Sequence, residues 1–198
     1  MNRVFLLSPA HSGGKRAALL TRQGATFDLA RRVQSGSAEL GDVFAFCSGL
    51  YFRGKLTYAR RFAGPPKGIP GVQIITPNRG LVAAEVLVGT SDLRDFAEVP
   101  VDSREPRFTA PLVDAAMAVA AAGSCEVVLL GSVATGKYID TLLPILGERL
   151  LFPQAFSGLG DMSRGALLLR AAARGEELPY ARVIPAGGKK RPRSQRAG

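Results

Sequence analysis

Several short segments carry residues able to do chemistry. Gly131-Ser-Val-Ala-Thr-Gly136-Lys137 fits G-x-x-x-x-G-K, a spacing in which backbone amides and a lysine converge on nucleotide phosphates. The next residue is Tyr138, where a Ser or Thr would hold magnesium. Ser8-Pro-Ala-His11-Ser12-Gly13-Gly14-Lys15 is a second candidate anion nest, and His11 is a candidate general acid or base because an imidazole titrates near neutrality. Ser48-Gly-Leu-Tyr51-Phe52-Arg53-Gly54-Lys55 interleaves two aromatic rings with two cations, the composition that stacks a base and grips its phosphate. Phe156-Ser-Gly-Leu-Gly160-Asp161-Met-Ser-Arg164-Gly165 combines glycines that permit close backbone approach, a carboxylate to orient or deprotonate a water, and a phosphate donor in Arg164. Each has a plainer alternative: Asp161 as a helix cap, Tyr51 and Phe52 as packing, His11 as a surface loop residue, and 131–137 as a basic turn beside phosphates.

Metal and cofactor chemistry has little to work with. There is one histidine, and the two cysteines, Cys47 and Cys125, lie in separate apolar stretches, so neither a zinc site nor a disulfide framework is expected, and no cofactor is. Charge points elsewhere. Lys and Arg number 26 against 16 Asp and Glu, a formal net charge of +10 over 198 residues. Lys189, Lys190, Arg191, Arg193 and Arg196 crowd the last ten residues without an acid, so a disordered basic tail is expected over 187–198. A basic body with a cationic arm favours a nucleic-acid partner, DNA before RNA, because each neutralised phosphate releases counterions. A solvated, solubilising end is the alternative. No apolar run reaches the roughly 18 residues of a membrane span, and the apolar stretch near the N-terminus is too short for a signal peptide, so a cytoplasmic protein without a membrane partner is expected.

The elements that must position these segments follow from hydrophobic pattern. Apolar runs at 3–8, 42–48, 72–76, 126–130 and 149–152 read as strands, with a short one over 96–101. Helical patterns start at Lys15 and cover 29–33, 56–62, 111–122, 138–146 and 163–174, with Pro111 at a first helical position. Strands without in/out alternation, separated by helices, predict one α/β domain over 1–186: a three-layer, doubly wound, mostly parallel sheet with helices on both faces. Ligands of such sheets bind beyond the carboxyl ends of the strands. That rule gathers the loops 8–15, 48–55, 76–80, 131–138 and 156–165 on one rim, with Lys15, Arg53, Lys55, Arg79, Lys137 and Arg164 as a cationic crescent for phosphates.

With Phe5-Leu-Leu-Ser-Pro9, Ser48-Gly-Leu-Tyr-Phe-Arg-Gly-Lys55, Val128-Leu-Leu-Gly-Ser132 and Gly160-Asp-Met-Ser-Arg-Gly165, the chain resembles a bacterial family of uncharacterised proteins over most of residues 3–180. More remotely, Arg149-Leu-Leu-Phe152-Pro153, Ser157 and Asp161-Met-Ser163-Arg164 before a closing helix look like the uracil-DNA glycosylase superfamily. That resemblance implies a three-layer α/β fold with a DNA site at the strand ends. Phe152 stands where the superfamily's loop has histidine, and Ser8-Pro9-Ala10-His11 stands where its water-activating loop would be, which turns the expectation from uracil to another base. The expected function is a DNA-acting, glycosylase-like hydrolase that cleaves the N-glycosidic bond of a damaged or modified base, as in DNA repair. Asp161 and His11 are its candidate catalytic residues, and Tyr51 and Phe52 its stacking residues. The alternatives are a non-enzymatic nucleic-acid-binding module and a nucleotide-binding enzyme built on 131–137.

Overall fold

The first strand, β1 (Arg3–Leu7), is buried at every position from Val4 to Leu7, as its unbroken apolar run requires of a strand covered on both faces. The computed structural model describes residues 2–184, so the basic stretch 187–198 lies outside the described residues. After β1 come helices α1 (Lys15–Thr21) and α2 (Asp28–Gln34), a short strand β2 (Ala38–Glu39), and helices α3 (Leu40–Ser48) and α4 (Leu50–Phe62). Strands β3 (Val72–Ile75), β4 (Leu81–Ala83) and β5 (Leu87–Val88) precede helices α5 (Thr90–Ala97) and α6 (Pro106–Ala121). Then follow β6 (Glu126–Leu130), α7 (Gly136–Leu146), β7 (Leu150–Pro153), α8 (Asp161–Arg174) and β8 (Tyr180–Arg182).

Six strands form the central sheet in the order β4-β3-β1-β6-β7-β8. The inner four are parallel: β1 pairs with β3 in register Phe5 to Val72 and with β6 in register Phe5 to Val128, and β6 pairs with β7. Antiparallel β4 and β8 close the two edges. Alternate residues of β1 feed two cores. Phe5 and Leu7 pack with Phe44, Phe52, Tyr58 and Leu168 from α3, α4 and α8, whereas Val4 and Leu6 pack with Phe108, Leu112, Ile139 and Leu142 from α6 and α7. The protein is thus an α/β fold with a mostly parallel central sheet and helices on both faces. Among the described residues no helix is long and apolar enough to cross a membrane.

Three local expectations are corrected. Residues 42–48, expected as a strand, lie in α3. Leu40, Val43 and Phe44 are its buried side chains, beside buried Gly41, an i, i+3, i+4 set that faces one side of a helix, and a short apolar run does not distinguish the two periods. The strand expected over 96–101 is the end of α5 followed by a turn at Glu98 and an irregular connection, with Leu93 and Phe96 spaced i, i+3 toward the core. The first helical position of α6 is Pro106, capped by Glu105, whose carboxylate accepts from the Arg107 backbone N–H; Pro111 sits inside the helix. The segment 48–55 is therefore not a loop after a strand. Gly49, at φ +70°, breaks the chain between α3 and α4, and residues 50–55 form the first turns of α4.

Candidate functional site

A cavity of about 590 Å³ opens beyond the carboxyl ends of β1 and β6. Its lining includes Ser8 just past β1, Tyr51 and Lys55 from α4, Tyr138 from α7, and Asp161 and Arg164 from α8. Thr135, Gly136 and Lys137 at the start of α7, with Asp102 and Arg104 from the α5–α6 connection, complete much of the remainder. Two helix N-termini, those of α7 and α8, thus border the same space, which is favourable for an anion.

The crossing of α4 and α8 sets the geometry of the inner wall. Gly54 and Gly165 meet there so closely that a β-carbon on Gly54 would lie 2.6 Å from the Gly165 carbonyl oxygen, and one on Gly165 would lie 2.8 Å from Tyr51 Cα. Glycine at both positions lets the helix carrying Tyr51 and Lys55 press against the helix carrying Asp161 and Arg164. The close approach that these glycines permit is between two helices.

Lys55 is only 2% exposed. Its Nζ donates to the Ser8 carbonyl oxygen at 2.6 Å and to Ser8 Oγ at 2.8 Å, and it lies 4.6 Å and 4.7 Å from the ring centres of Tyr51 and Phe52. Ser8 Oγ in turn donates to the Leu130 carbonyl at 3.3 Å, so the hydroxyl links the amine to the ends of both central strands. Burial lowers the Lys55 amine to about 7, against the opposing pull of the Asp161 charge. Among the described residues no carboxylate stands within ion-pair distance of it.

Tyr51 is 8% exposed, and its hydroxyl is buried without a hydrogen-bond partner. Burial pushes this phenol up to about 12, with the Arg164 charge pulling it back. Tyr138 is buried beside it and its phenol is likewise raised by burial, opposed by the Ser8 hydroxyl. Arg164 donates through Nε and Nη2 to the Phe156 carbonyl at 3.2 and 2.9 Å and lies over the Phe156 ring. Its Nη1 stands 3.6 Å from Asp161 Oδ1, so a fixed guanidinium faces a carboxylate that is itself largely exposed. Asp161 is the first residue of α8; Gly160 is the N-cap and no side chain caps the helix, so the carboxylate is not engaged as a cap. At the rim, hydrogen bonds from Arg104 hold the Asp102 carboxyl at about 2.

The fold therefore gathers five of the residues expected at the site: Asp161, Tyr51, Lys55, Lys137 and Arg164. The others are placed elsewhere. Phe52 is fully buried, edge-on to Phe44 in the core, and presents no face on which a base could stack; that expectation is corrected. Arg53, one residue on, points outward and lines a neighbouring cavity of about 670 Å³ with Arg16, Arg32, Phe46 and Met162. Arg79 pairs with Asp92 at 2.6 Å and Asp95 at 3.2 Å and stacks on Phe96, so its charge is spent holding the 76–80 turn to α5, and the single cationic crescent is corrected accordingly. Lys15 is exposed at the start of α1, and His11 is exposed with its ring against Gly13 and Gly14; neither lines the cavity.

Three residues of the site carried little weight in the sequence. Ser8 has no nucleophile-elbow motif around it, Tyr138 registers there as a missing magnesium ligand, and Arg104 lies in an unremarked connection. The usable signal for Ser8 is its position directly after a fully buried strand. Among the described residues no cluster of three or more His, Cys, Asp or Glu is arranged to hold a metal ion. No family model, no curated protein and no solved structure matches the chain.

Proposed function

We propose that the protein acts on DNA and hydrolyses the N-glycosidic bond of a damaged or modified base drawn out of the stack into this cavity. One observation carries the reading: a carboxylate and a fixed guanidinium, Asp161 and Arg164, stand beside a buried, unpartnered Tyr51 hydroxyl in a cavity whose rim holds Lys137 and Arg104. An extruded nucleotide needs a pocket of this kind, with donors for the base edge and cations for the flanking phosphates. As the glycosidic bond breaks, electrons move to the base and C1′ becomes cationic. Donation from Tyr51 and Arg164 favours the departing base, and Asp161 stabilises the cationic sugar and orients the attacking water. The formal charge of +10 supplies the attraction for a polyanion.

The test is mass spectrometry of small molecules released when the full chain is incubated with natural and heavily modified DNAs. A released free base is expected, with Asp161→Asn lowering the rate by about 10²–10⁴-fold, the range for loss of a positioned acid–base group. Release at an unchanged rate from Asp161→Asn would remove that residue from the chemistry. Absence of release, with tight salt-sensitive binding, would make the protein a non-enzymatic binding module. A nucleotide-binding reading is favoured by Thr135, Gly136 and Lys137 of the glycine loop lining the same cavity; it requires magnesium-dependent ATP or GTP binding that Lys137→Ala abolishes.

A further inference from the structure

We infer that Lys55 is a nucleophilic amine that forms an imine with C1′ of an abasic deoxyribose held in this cavity, giving the protein a strand-cleaving lyase activity. The inference rests on the DNA substrate proposed above and adds a second reaction to it.

The hydrogen-bond inventory around Nζ is the first argument. Two oxygens, the carbonyl and the hydroxyl of Ser8, accept from it. A neutral amine has two N–H groups, which these acceptors use completely, and its remaining valence is a lone pair. An ammonium has a third N–H, and among the described residues only the faces of Tyr51 and Phe52 attend to it. The second argument is the missing counter-ion. The carboxylate that lines the same cavity, Asp161, pairs with Arg164 instead. A buried lysine with neither a carboxylate nor a third oxygen is set up as a base or nucleophile, since desolvation activates an amine in this way. The lowering of its pKa to about 7 by burial agrees with that placement and leaves much of the amine neutral near pH 7.

The surroundings supply the rest. Lys55 lines the cavity with Tyr51, Tyr138 and Ser8, while Lys137 stands exposed at the mouth for a phosphate flanking an abasic sugar. The open-chain form of that sugar carries an aldehyde at C1′. The lone pair of Nζ forms the C1′–N bond, the carbonyl oxygen takes one proton from the amine and one from solvent and leaves as water, and a protonated imine results. The imine acidifies C2′. A proton then passes from C2′ to the Asp161 carboxylate, the C2′–C3′ double bond forms, and the C3′–O bond breaks with its electrons leaving on the 3′ phosphate. Addition of water to the imine returns free Lys55 and an unsaturated aldehyde, with no redox change.

The experiment incubates the full chain with a duplex oligonucleotide containing one abasic site, with and without sodium borohydride, which reduces an imine to a stable secondary amine. The expected result is a covalent protein–DNA adduct formed only with borohydride, mapped by peptide mass spectrometry to Lys55. Lys55→Arg and Lys55→Gln should lower its yield at least tenfold. Because the mapping is done on the unaltered chain, a variant that folds poorly does not decide the matter. An adduct mapped to Lys15, Lys67, Lys137, Lys189, Lys190 or the N-terminal amine, or no adduct at all, overturns the inference. Running base release on the same preparation separates the two claims: release without trapping overturns the Lys55 imine and leaves the hydrolysis standing, whereas trapping at Lys55 without release supports the imine and counts against the hydrolysis.

Discussion

Gly54 and Gly165 face each other across the α4–α8 crossing with so little room that a β-carbon on Gly54 would stand 2.6 Å from the Gly165 carbonyl oxygen. That separation is what brings the wall bearing Tyr51 and Lys55 against the wall bearing Asp161 and Arg164. Gly54→Ala must therefore force the helices apart, at a cost of about 1–3 kcal/mol, typical of overpacking a filled interface. Urea unfolding followed by circular dichroism should show a lower midpoint, and base release should fall with it. An unchanged midpoint would mean that the crossing relaxes freely.

Tyr51 gives a prediction in which stability and activity move in opposite directions. Its hydroxyl is buried and unpartnered, a state that costs about 1–3 kcal/mol. Tyr51→Phe should raise the unfolding midpoint of the free protein while slowing base release. A loss of stability on Tyr51→Phe would show that the hydroxyl has a partner in solution.

Lys55 sets a pH dependence of stability. Burial holds its amine at about 7 in the fold, against an ordinary 10.5. Between those values the unfolded chain binds a proton that the folded chain does not, so stability rises with pH. The destabilisation is fully present below pH 7 and is relieved as pH climbs through 7 toward 10.5. From this group alone the fold should gain about 1 kcal/mol between pH 6 and pH 8. Cys47, pushed up to about 11 by burial, acts with the opposite slope only after its unfolded thiol ionises, above that window. Urea midpoints at pH 6 and pH 8 should diverge less in Lys55→Met than in the unaltered chain. Equal divergence would assign the effect to another group.

Arg79 and Lys137 separate paired from available cations. Arg79 is neutralised by Asp92 and Asp95, whereas Lys137 is exposed at the mouth of the cavity. Lys137→Ala should reduce the slope of log binding constant against log salt by about one, the loss of one phosphate contact. Arg79→Ala should leave that slope unchanged and cost about 0.2–1 kcal/mol of stability for each partly exposed pair. Binding isotherms on one duplex at several salt concentrations measure both slopes. A reduced slope in Arg79→Ala would mean that its carboxylate partners yield to DNA.

The sequence by itself determined the frame. Mainly apolar runs at 3–8, 72–76, 126–130 and 149–152 correspond to the four parallel strands, because a strand buried on both faces does without regular polar alternation. Their order with intervening helices directs the chemistry to the strand ends, where the cavity lies. Of the ten site residues that type and spacing single out, Asp161, Tyr51, Lys55, Lys137 and Arg164 line that cavity. What tertiary structure alone decided is the state in which each residue arrives. Residues 42–48 became helical because Leu40, Val43 and Phe44 share one buried helical face. On α4, Tyr51 lines the cavity while its neighbour Phe52 entered the core, a division set by the 100° step between successive helical residues. Arg79 lost its freedom to two acids more than ten residues away in the chain. Lys55, which its composition marks as a phosphate-gripping cation, met Ser8, 47 residues earlier and just past β1, and is buried there at 2% exposure. Desolvation and ion pairing depend on which distant segments pack together, and no local pattern encodes them.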